Sequence, residues 1–339
     1  MAALRKRSHS PRDFGVEQVP VPVPGAGQVL VRSEAVGLCG SDVHAVRSDV
    51  GYEWVQTPVT LGHEVCGTVV TAADSVGEEL LGARVVVIAI DGCGQCKQCE
   101  AGQANYCPDR TCFGLHSDGG LADYFVADAS RLWPVKAEME PRLAVLIEPA
   151  AIAHQALRVL NADLTGQQIG ISGPGTIGLL CGLECLRRGA DVVMYGPETG
   201  AEARLDFART LGMRLGDPVG PREATHHWVE ASGAGPALAS AITAVRMQGR
   251  IVMPAMYGHL PEVDLNQVVR KGLSIHGSYG YTREDYSSGA AMIWDFRGTL
   301  ERMVSLFPLN EGVEAMNRTE RAELIKAVVL PADVPVEQG

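Results

Sequence analysis

The sequence predicts a two-domain α/β protein, in which a mainly β region is followed by a doubly wound parallel sheet. In the first ~130 residues, short apolar runs alternate with turns rich in glycine and proline, which is typical of β-structure. From Gln168 onward, strand-like and helix-like segments alternate, which favours βαβ units and a parallel sheet. The length of 339 residues also exceeds one ordinary hydrophobic core and suits two domains.

The first region begins with a strand in VLVRSEAVG, where alternate residues have the pattern of a half-buried strand. Pro20, Pro22 and Pro24 place the preceding segment at a sheet edge or in a loop, because proline cannot donate a hydrogen bond to a ladder. Further strands are predicted in VCGTVVTAA, ARVVVIAI and ADYFVAD.

The second region begins with PRLAVLIEPAAIAHQALRVL, which has helical spacing and no internal glycine. Strands are predicted in QIGISG, DVVMYG, HHWVEASG, RIVMPAMYG and LSIHGSYGY. Helices are predicted in LLCGLECLRRG, AEARLDFARTLG and PALASAITAVRMQG. After Tyr281 the pattern is helical and then returns to a strand in LIKAVVLPAD. We therefore assign residues 148–281 to the second domain, and residues 1–147 with 282–339 to the first.

The composition and charge of the chain argue against nucleic acid and membranes as partners. The formal net charge of −11 repels phosphate backbones, which argues against nucleic acid. The basic start, MAALRKRSHSPRD, lacks the apolar run of a signal peptide, and no stretch approaches the ~20 apolar residues of a membrane span. Nine cysteines without an export signal favour reduced thiols. We expect a cytoplasmic protein that acts on small molecules, without a membrane partner.

Four cysteines fall within GCGQCKQCEAGQANYC: Cys93, Cys96, Cys99 and Cys107. Four thiolates on one loop are a tetrahedral ligand set for zinc. The sequence therefore predicts a structural zinc lobe over residues 92–108. Because all four ligands come from the protein, such a site has no position open to a substrate, and the chemistry must lie elsewhere.

A second set of metal-ligand residues lies in GLCGSDVH, LGHEVCG and IEPA. Together these fragments offer Cys39, Ser41, Asp42, His44, His63, Glu64 and Glu148. One thiolate, one imidazole and one carboxylate make a three-ligand zinc site whose fourth position stays open for a substrate. We therefore expect two zinc ions per chain, one structural and one catalytic.

A glycine-rich turn, ISGPGTIGLL, follows one predicted strand and precedes a helix. Gly173, Gly175 and Gly178 give the spacing G-x-G-x-x-G, in which the backbone approaches a pyrophosphate at the helix N-terminus. Thr176 and Ile177 complete this loop. The motif predicts a dinucleotide cofactor, NAD or NADP.

The second strand of the predicted nucleotide domain bears on the choice between these two cofactors. It ends at Gly196, where NAD-binding sheets usually carry an acidic residue for the ribose hydroxyls. Arg204 lies just downstream and can pair with a 2′-phosphate, whereas Glu198 and Glu202 would bind ribose or repel that phosphate. The balance favours NADP over NAD.

These motifs, in this order and spacing, resemble the zinc-dependent medium-chain dehydrogenase/reductase (alcohol dehydrogenase) family, close to its sorbitol, threonine and butanediol dehydrogenase branch. The resemblance extends from VLVRSEAVGLCGSDVH through the cysteine lobe to GSYGYTREDY and IKAVVLP. It implies a GroES-like catalytic domain joined to a Rossmann domain, and a homodimer or homotetramer. It also implies hydride transfer between a secondary alcohol and NAD(P).

The resemblance also implies roles for individual residues. Cys39 and His63 would bind the catalytic zinc, with Glu64 or Glu148 as the third ligand. Ser41 would accept the alcohol proton and His44 would pass it to solvent. Asp42 would orient the imidazole of His63.

The segment DVGYEWVQTP corresponds to a region that overhangs the substrate pocket in this family. Glu53 and Trp54 are predicted to line that pocket, with Phe113 from FGLHSDGG as a further lining residue. We expect a polyol, sugar, cyclitol or amino alcohol as substrate. Two alternatives stay open: a reductase of a C=C or iminium bond, and a non-catalytic protein that binds zinc and nucleotide.

Overall fold

The structure, a computed structural model, describes residues 1–73, 78–218 and 222–331. It divides into two compact units, the first comprising Met1–Glu148 and Ile293–Gly339 and the second comprising Pro149–Met292. Residues 332–339, which the sequence assigns to the first domain, lie outside the described part of the chain.

The first unit is mainly β. Its N-terminal strands are β1 (Ala2–Lys6), β2 (Phe14–Gln18), β3 (Gln28–Gly37), β4 (Val59–Thr60), β5 (Glu64–Ala72), β6 (Arg84–Val87), β7 (Ile90–Asp91), β8 (Thr111–Cys112), β9 (Tyr124–Asp128) and β10 (Leu132–Pro134). Its N-terminal helices are α1 (Gly40–Arg47), α2 (Lys97–Glu100) and α3 (Pro141–Ala144).

The second unit alternates strands and helices. Its strands are β11 (Gln168–Ser172), β12 (Asp191–Tyr195), β13 (Arg214–Leu215), β14 (Thr225–Glu230), β15 (Val245–Met253) and β16 (Ser274–Gly277). The helices between Ile147 and Leu300 are α4 (Ile147–Leu160), α5 (Thr176–Arg187), α6 (Glu202–Thr210), α7 (Gly235–Ala244), α8 (Leu265–Lys271) and α9 (Arg283–Leu300). The chain then returns to the first unit through β17 (Val304–Pro308), α10 (Gly312–Glu320) and β18 (Lys326–Leu330).

Distant segments meet in the main sheet of the first unit. Among the described residues this sheet has the order β10-β6-β5-β3-β18-β17, and β9 also pairs with β3. The antiparallel register of β3 and β5 places Gly37 opposite Glu64, and β18 pairs with the same end of β3. The segment after β3 and the residues before β5 therefore meet at one end of the sheet, beside the start of β18. A large apolar cluster that includes Val31, Leu61 and Phe125 packs in this unit.

The sheet of the second unit confirms the predicted doubly wound fold. Its described strands are all parallel, in the order β13-β12-β11-β14-β15-β16. The strand order reverses beside β11, so the loops after β11 and β14 are neighbours, and ligands of such sheets bind at this point.

One segment of the second unit differs from its predicted structure. The sequence places VRMQG, residues 245–249, in a helix, but α7 ends at Ala244 and Val245 begins β15. Val245 is fully buried and pairs with Thr225 of β14. Strand pairing and burial of a β-branched side chain therefore outweigh the local helical pattern.

One part of the described chain, Pro141–Leu160, is long and apolar enough to span a membrane, with a mean hydropathy of 1.4. The sequence prediction that no stretch approaches this length overlooked it. Because this apolar segment is mostly buried inside the protein, the finding indicates that α3 and α4 belong to the core.

Candidate active site

Three potential metal ligands converge in the first unit. The ligand atoms of Cys39, His63 and Glu64 all lie within 4.8 Å of one another. Cys39 is the residue before α1, and Glu64 begins β5. Pairing between β3 and β5 brings these two places together. Thiolate, imidazole and carboxylate are ligands that zinc binds in proteins, and three of them leave one position open. The donor set therefore fits a catalytic zinc ion.

Asp42 contacts two of these three residues, the backbone of Cys39 and the side chain of His63. Its carboxylate accepts a hydrogen bond from the backbone N–H of Cys39 at 3.0 Å, and its Oδ1 lies 3.5 Å from Nδ1 of His63. Burial lowers the pKa of His63, but the charges of Asp42 and Cys39 raise it more, so that the net shift is well upward. The surroundings of this imidazole therefore stabilise positive charge, which a metal ion also supplies.

Glu64 has a second partner, Lys326 of β18. Lys326 Nζ lies 2.6 and 2.8 Å from the two carboxylate oxygens and donates to the Leu38 carbonyl at 3.0 Å. Both charged side chains are buried. Burial lowers the pKa of Lys326, but Glu64 and Cys39 raise it more, so that the net shift is upward.

Glu148, the other predicted third ligand, lies at the start of α4 and is buried. It does not belong to the group formed by Cys39, His63 and Glu64. Its charge acts on Lys326 and Cys112, which places it in the same region of the first unit. The choice between the two glutamates stays a prediction.

Ser41 and His44 occupy the same face of α1, because residues three apart in a helix are neighbours. Ser41 Oγ lies 3.2 Å from Nε2 of His63, inside the ligand group. Nδ1 of His44 lies 2.7 Å from Oδ2 of Asp49. The structure therefore places both predicted proton carriers on one helix that starts directly after Cys39, a predicted metal ligand.

His44 also begins a stack of four aromatic rings. Its ring centroid lies 5.1 Å from that of Tyr52, which lies 5.8 Å from that of Trp54. Trp54 in turn stacks on His116 at 4.4 Å. Trp54 is therefore held through its ring faces.

The other predicted lining residues lie in different environments. Glu53 is exposed and accepts the backbone N–H of Gly51 at 2.9 Å, and backbone N–H groups lower the pKa of its carboxyl. Phe113 is buried and packs edge-on against Phe125. It also lines a cavity of about 490 Å³, together with His116 and others. Trp54 adjoins this cavity through His116, on which it stacks. That Glu53, Trp54 and Phe113 line a substrate pocket stays a prediction.

The four thiols of Cys93, Cys96, Cys99 and Cys107 lie within 4.8 Å of one another. The backbone N–H of Cys99 lowers the pKa of Cys96 to about 7, whereas burial raises the pKa of Cys99 to about 12. Thiols this close cannot all ionise unless a cation balances their charge. The group is therefore compatible with a structural zinc ion.

The glycine loop of the second unit lies between β11 and α5. Gly173 has a φ of +96°, and a Cβ there would lie 2.8 Å from the backbone of Ala231 and Ser232. A Cβ on Gly178 would meet the Gly173 carbonyl. A Cβ on Gly175 would instead enter open space. The space beside Gly175, at the start of α5, therefore fits a pyrophosphate that approaches the backbone. Thr176 and Ile177 form the first turn of α5.

Gly196 follows β12, as predicted for the residue that faces the adenosine ribose. A Cβ there would approach Leu205 at 3.2 Å and Pro174 at 3.3 Å. Arg204 on α6 donates to the Gly200 carbonyl at 3.0 Å, and Glu202 accepts the Gly200 N–H at 3.1 Å. Both charged residues thus hold the loop that follows β12.

Glu230, which the sequence analysis did not single out, joins the loops at this end of the second sheet. Its buried carboxylate accepts N–H groups of Ser232 at 2.9 Å and Gly233 at 3.3 Å, and the Tyr257 hydroxyl at 2.5 Å. The Ser172 hydroxyl, next to Gly173, donates to it at 3.3 Å. Burial and this carboxylate raise the pKa of Tyr257.

Comparison with known proteins identifies the family. Residues 25–137 match the alcohol dehydrogenase GroES-like domain. An L-threonine 3-dehydrogenase of Xanthomonas campestris pv. campestris is 32% identical over 296 residues, which are 83% of this chain and 84% of the relative. The chain belongs to the zinc-dependent medium-chain dehydrogenase/reductase family. A sorbitol dehydrogenase of Halalkalibacterium halodurans is 28% identical over 98% of this chain and 100% of the relative.

Comparison with a solved structure agrees with this family assignment. A zinc-binding dehydrogenase of Sinorhizobium meliloti, crystallised with NADP, has a TM-score of 0.86 and 26% identity over 97% of this chain and 99% of that one. The predicted fold class, a Rossmann domain with a GroES-like domain, is confirmed.

The dehydrogenase is an oxidoreductase that interconverts an alcohol and a ketone with NAD(P), as predicted. These comparisons give no support to the C=C or iminium reductase or to the non-catalytic alternative.

Lys326 and Asp49 were not predicted as site residues from the sequence. The lysine within the apolar run IKAVVL was the available signal, since a charged residue in a buried strand needs a partner.

Proposed function

We propose that this dehydrogenase oxidises a secondary hydroxyl group of a polyol, sugar, cyclitol or amino alcohol, and reduces the corresponding ketone in reverse. The convergence of Cys39, His63 and Glu64 within 4.8 Å carries the proposal. The sorbitol and L-threonine dehydrogenases among the relatives support substrates with a second polar group near the reacting hydroxyl.

Cys39, His63 and Glu64 would hold the catalytic zinc, with Glu148 as the alternative third ligand. Bound there, zinc supplies a Lewis acid that lowers the pKa of a hydroxyl group, and NAD(P) supplies the hydride acceptor. Asp42, whose Oδ1 lies 3.5 Å from Nδ1 of His63, would orient the imidazole. Glu64 shares its carboxylate with Lys326, which offsets one negative charge in the ligand group.

Proton transfer is assigned to α1. Ser41 Oγ, 3.2 Å from Nε2 of His63, accepts the hydroxyl proton beside the ligand group and gives up its own hydroxyl proton at the same time. His44, one turn further along the same helix face, takes up that proton and releases it to solvent. Both steps leave Ser41 and His44 in their starting protonation states after each turnover.

For the cofactor we propose NADP over NAD. Gly173, Gly175, Thr176, Ile177 and Gly178 would hold the pyrophosphate. No carboxylate stands at Gly196 to repel a 2′-phosphate, and the relative crystallised with NADP supports this choice. Arg204 lies on the helix that follows and would release the Gly200 carbonyl to bind the phosphate.

We further propose a second, structural zinc ion bound by Cys93, Cys96, Cys99 and Cys107, which gives two zinc ions per chain. The subunits would form a homodimer or homotetramer in the cytoplasm. Along the described sheet of the second unit, β16 is an edge strand. Apolar side chains in the segment between β15 and β16 are exposed, including Leu260 at 97%, Val269 at 78% and Leu265 at 64%. A second copy would cover them.

A spectrophotometric screen tests the proposal. Nicotinamide reduction is followed with NAD and with NADP against polyols, sugars and amino alcohols. We expect turnover with at least one of these classes and a higher kcat/KM with NADP. Turnover on enones alone would contradict the substrate class. Arg204→Leu should lower kcat/KM with NADP only.

Zinc analysis of Glu64→Gln and Glu148→Gln identifies the third ligand. Glu64→Gln should lose the catalytic zinc, while Glu148→Gln should retain two ions per chain. The opposite pattern would assign the role to Glu148.

A further inference from the structure

The chain reverses direction at the end of α1, one turn after His44. Ser48 adopts the left-handed conformation, with a φ of 56°, and ends the helix. The backbone N–H of Asp49 then donates to the His44 carbonyl at 3.1 Å. This closure brings the side chain of Asp49 back over the last turn of the helix.

The left-handed turn is stabilised from the first β-hairpin. A non-glycine residue at positive φ is disfavoured, so Ser48 needs compensating contacts. Its hydroxyl donates to the His9 carbonyl at 2.7 Å and accepts from Lys6 Nζ at 3.0 Å. Lys6 is 1% exposed. The turn that carries Asp49 is thus held by two polar contacts to the hairpin, one of them from the buried Lys6.

The contact between His44 and Asp49 selects one tautomer of the imidazole. Nδ1 of His44 lies 2.7 Å from Oδ2 of Asp49. An ionised carboxylate only accepts hydrogen bonds, so Nδ1 carries the proton and Nε2 is left as the basic nitrogen. Arg47 Nε lies 3.2 Å from the other oxygen, Oδ1, and holds the carboxylate in place.

Tyr52 restrains the same imidazole from its face. The two rings stack at 5.1 Å with an interplanar angle of 22°. Tyr52 is itself backed by Trp54 at 5.8 Å. Asp49 at the ring edge and Tyr52 at the ring face therefore restrain the orientation of the His44 imidazole.

We infer that Asp49 is a positioning residue of proton transfer, which fixes the tautomer and orientation of His44 with Tyr52 as a second restraint. The inference rests on the proposed role of His44. Nε2 takes up the proton from Ser41, and the resulting imidazolium is stabilised by Asp49. The same proton then leaves Nε2 for solvent. Asp49 stays ionised throughout, and the Nδ1 proton never leaves the ring.

Three variants test this inference: Asp49→Ala, Asp49→Asn and His44→Ala. We expect Asp49→Ala to lower kcat by about tenfold or more, with KM within about threefold, because only proton transfer is impaired. Asp49→Asn should retain more kcat, because its amide oxygen can still accept the Nδ1 proton. Glu320→Gln is the matched control. Glu320 lies 3.9 Å from the same Arg47, and its loss should leave kcat unchanged.

The double variant His44→Ala with Asp49→Ala separates the possible failures. If Asp49 acts through His44, Asp49→Ala should lower kcat no further in the His44→Ala background. An equal additional loss there would overturn the inference. So would normal kcat in Asp49→Ala when His44→Ala is impaired. Normal kcat in His44→Ala would instead overturn the proposed role of His44. Melting temperatures of all variants show that the chain is folded.

Discussion

Lys326 Nζ lies 2.6 Å from Oε2 of Glu64, and both side chains are buried at the end of the main sheet of the first unit. The pair joins β18 to the start of β5 and stands directly beside Cys39 and His63. Because an unpaired buried charge is costly, stability and metal binding are linked at this position.

Replacing Lys326 with Met should destabilise the protein by about 3 kcal/mol, since it leaves the Glu64 carboxylate buried without its partner. Urea unfolding measures this loss. The double variant with Glu64→Gln should be more stable than Lys326→Met alone, and the exposed Lys97→Met is the control. Equal stability of Lys326→Met and wild type would show that the ion pair contributes nothing.

The four-cysteine group should be structural. Cys96→Ser should lower the zinc content by one ion per chain and reduce the melting temperature, because the loop loses its cross-link. Cys185→Ala removes a buried thiol in the second unit and should leave the zinc content unchanged. Metal analysis and thermal unfolding check both variants. An unaltered zinc content in Cys96→Ser would exclude this group as a metal site.

Glu184 makes the second unit sensitive to acid. It is fully buried and lies 2.7 Å from Arg187, 2.7 Å from Arg188 and 3.2 Å from His154. Burial raises the pKa of Glu184, but these partners lower it more, so that the folded-state pKa is depressed. A depressed carboxyl pKa contributes stability that is present above the unfolded value and lost as the pH falls through the folded value.

Glu184→Gln should therefore cost about 1.5–3 kcal/mol at neutral pH. The difference from wild type should shrink below the unfolded glutamate pKa of about 4.3. Urea unfolding at a series of pH values measures it. If the stability difference between wild type and Glu184→Gln grew as the pH fell, the folded-state pKa of Glu184 would be raised and not depressed.

Glu230 should hold the loops after β11 and β14 in the conformation that binds the nucleotide. Glu230→Gln weakens the hydrogen bonds that hold Ser172, Ser232 and Tyr257 together, so the Kd for NADP should rise several-fold. Tyr257→Phe removes a single hydrogen bond to a charged group, about 1.5–3 kcal/mol, and should have a smaller effect on the Kd. Fluorescence titration compares them. An unchanged Kd in Glu230→Gln would separate this carboxylate from cofactor binding.

Local motifs account for the parts of the site that the sequence could predict. The four cysteines lie in one short segment, and the glycine spacing occurs within one strand–turn–helix. In such segments the sequence spacing nearly determines the spatial arrangement. The parallel sheet also followed from alternating strand and helix patterns, each of which is local.

The parts that sequence reasoning missed depend on contacts between distant segments. Lys326 meets Glu64 across 262 residues through the pairing of β18 with β3. Val245 forms a strand, although the local pattern is helical, because it pairs with Thr225 of β14. Asp49 reaches His44 only because Ser48 takes a left-handed conformation that Lys6 stabilises. None of these partners can be read from local spacing.

The most direct test is to measure kcat and zinc content on the same preparations of Cys39→Ser and His63→Ala. We expect each variant to keep the zinc of the four-cysteine group and to bind NADP normally. We also expect kcat to fall by at least about a hundredfold, or roughly 3 kcal/mol of transition-state stabilisation. Near-normal turnover by a variant that holds only the four-cysteine zinc would contradict this expectation.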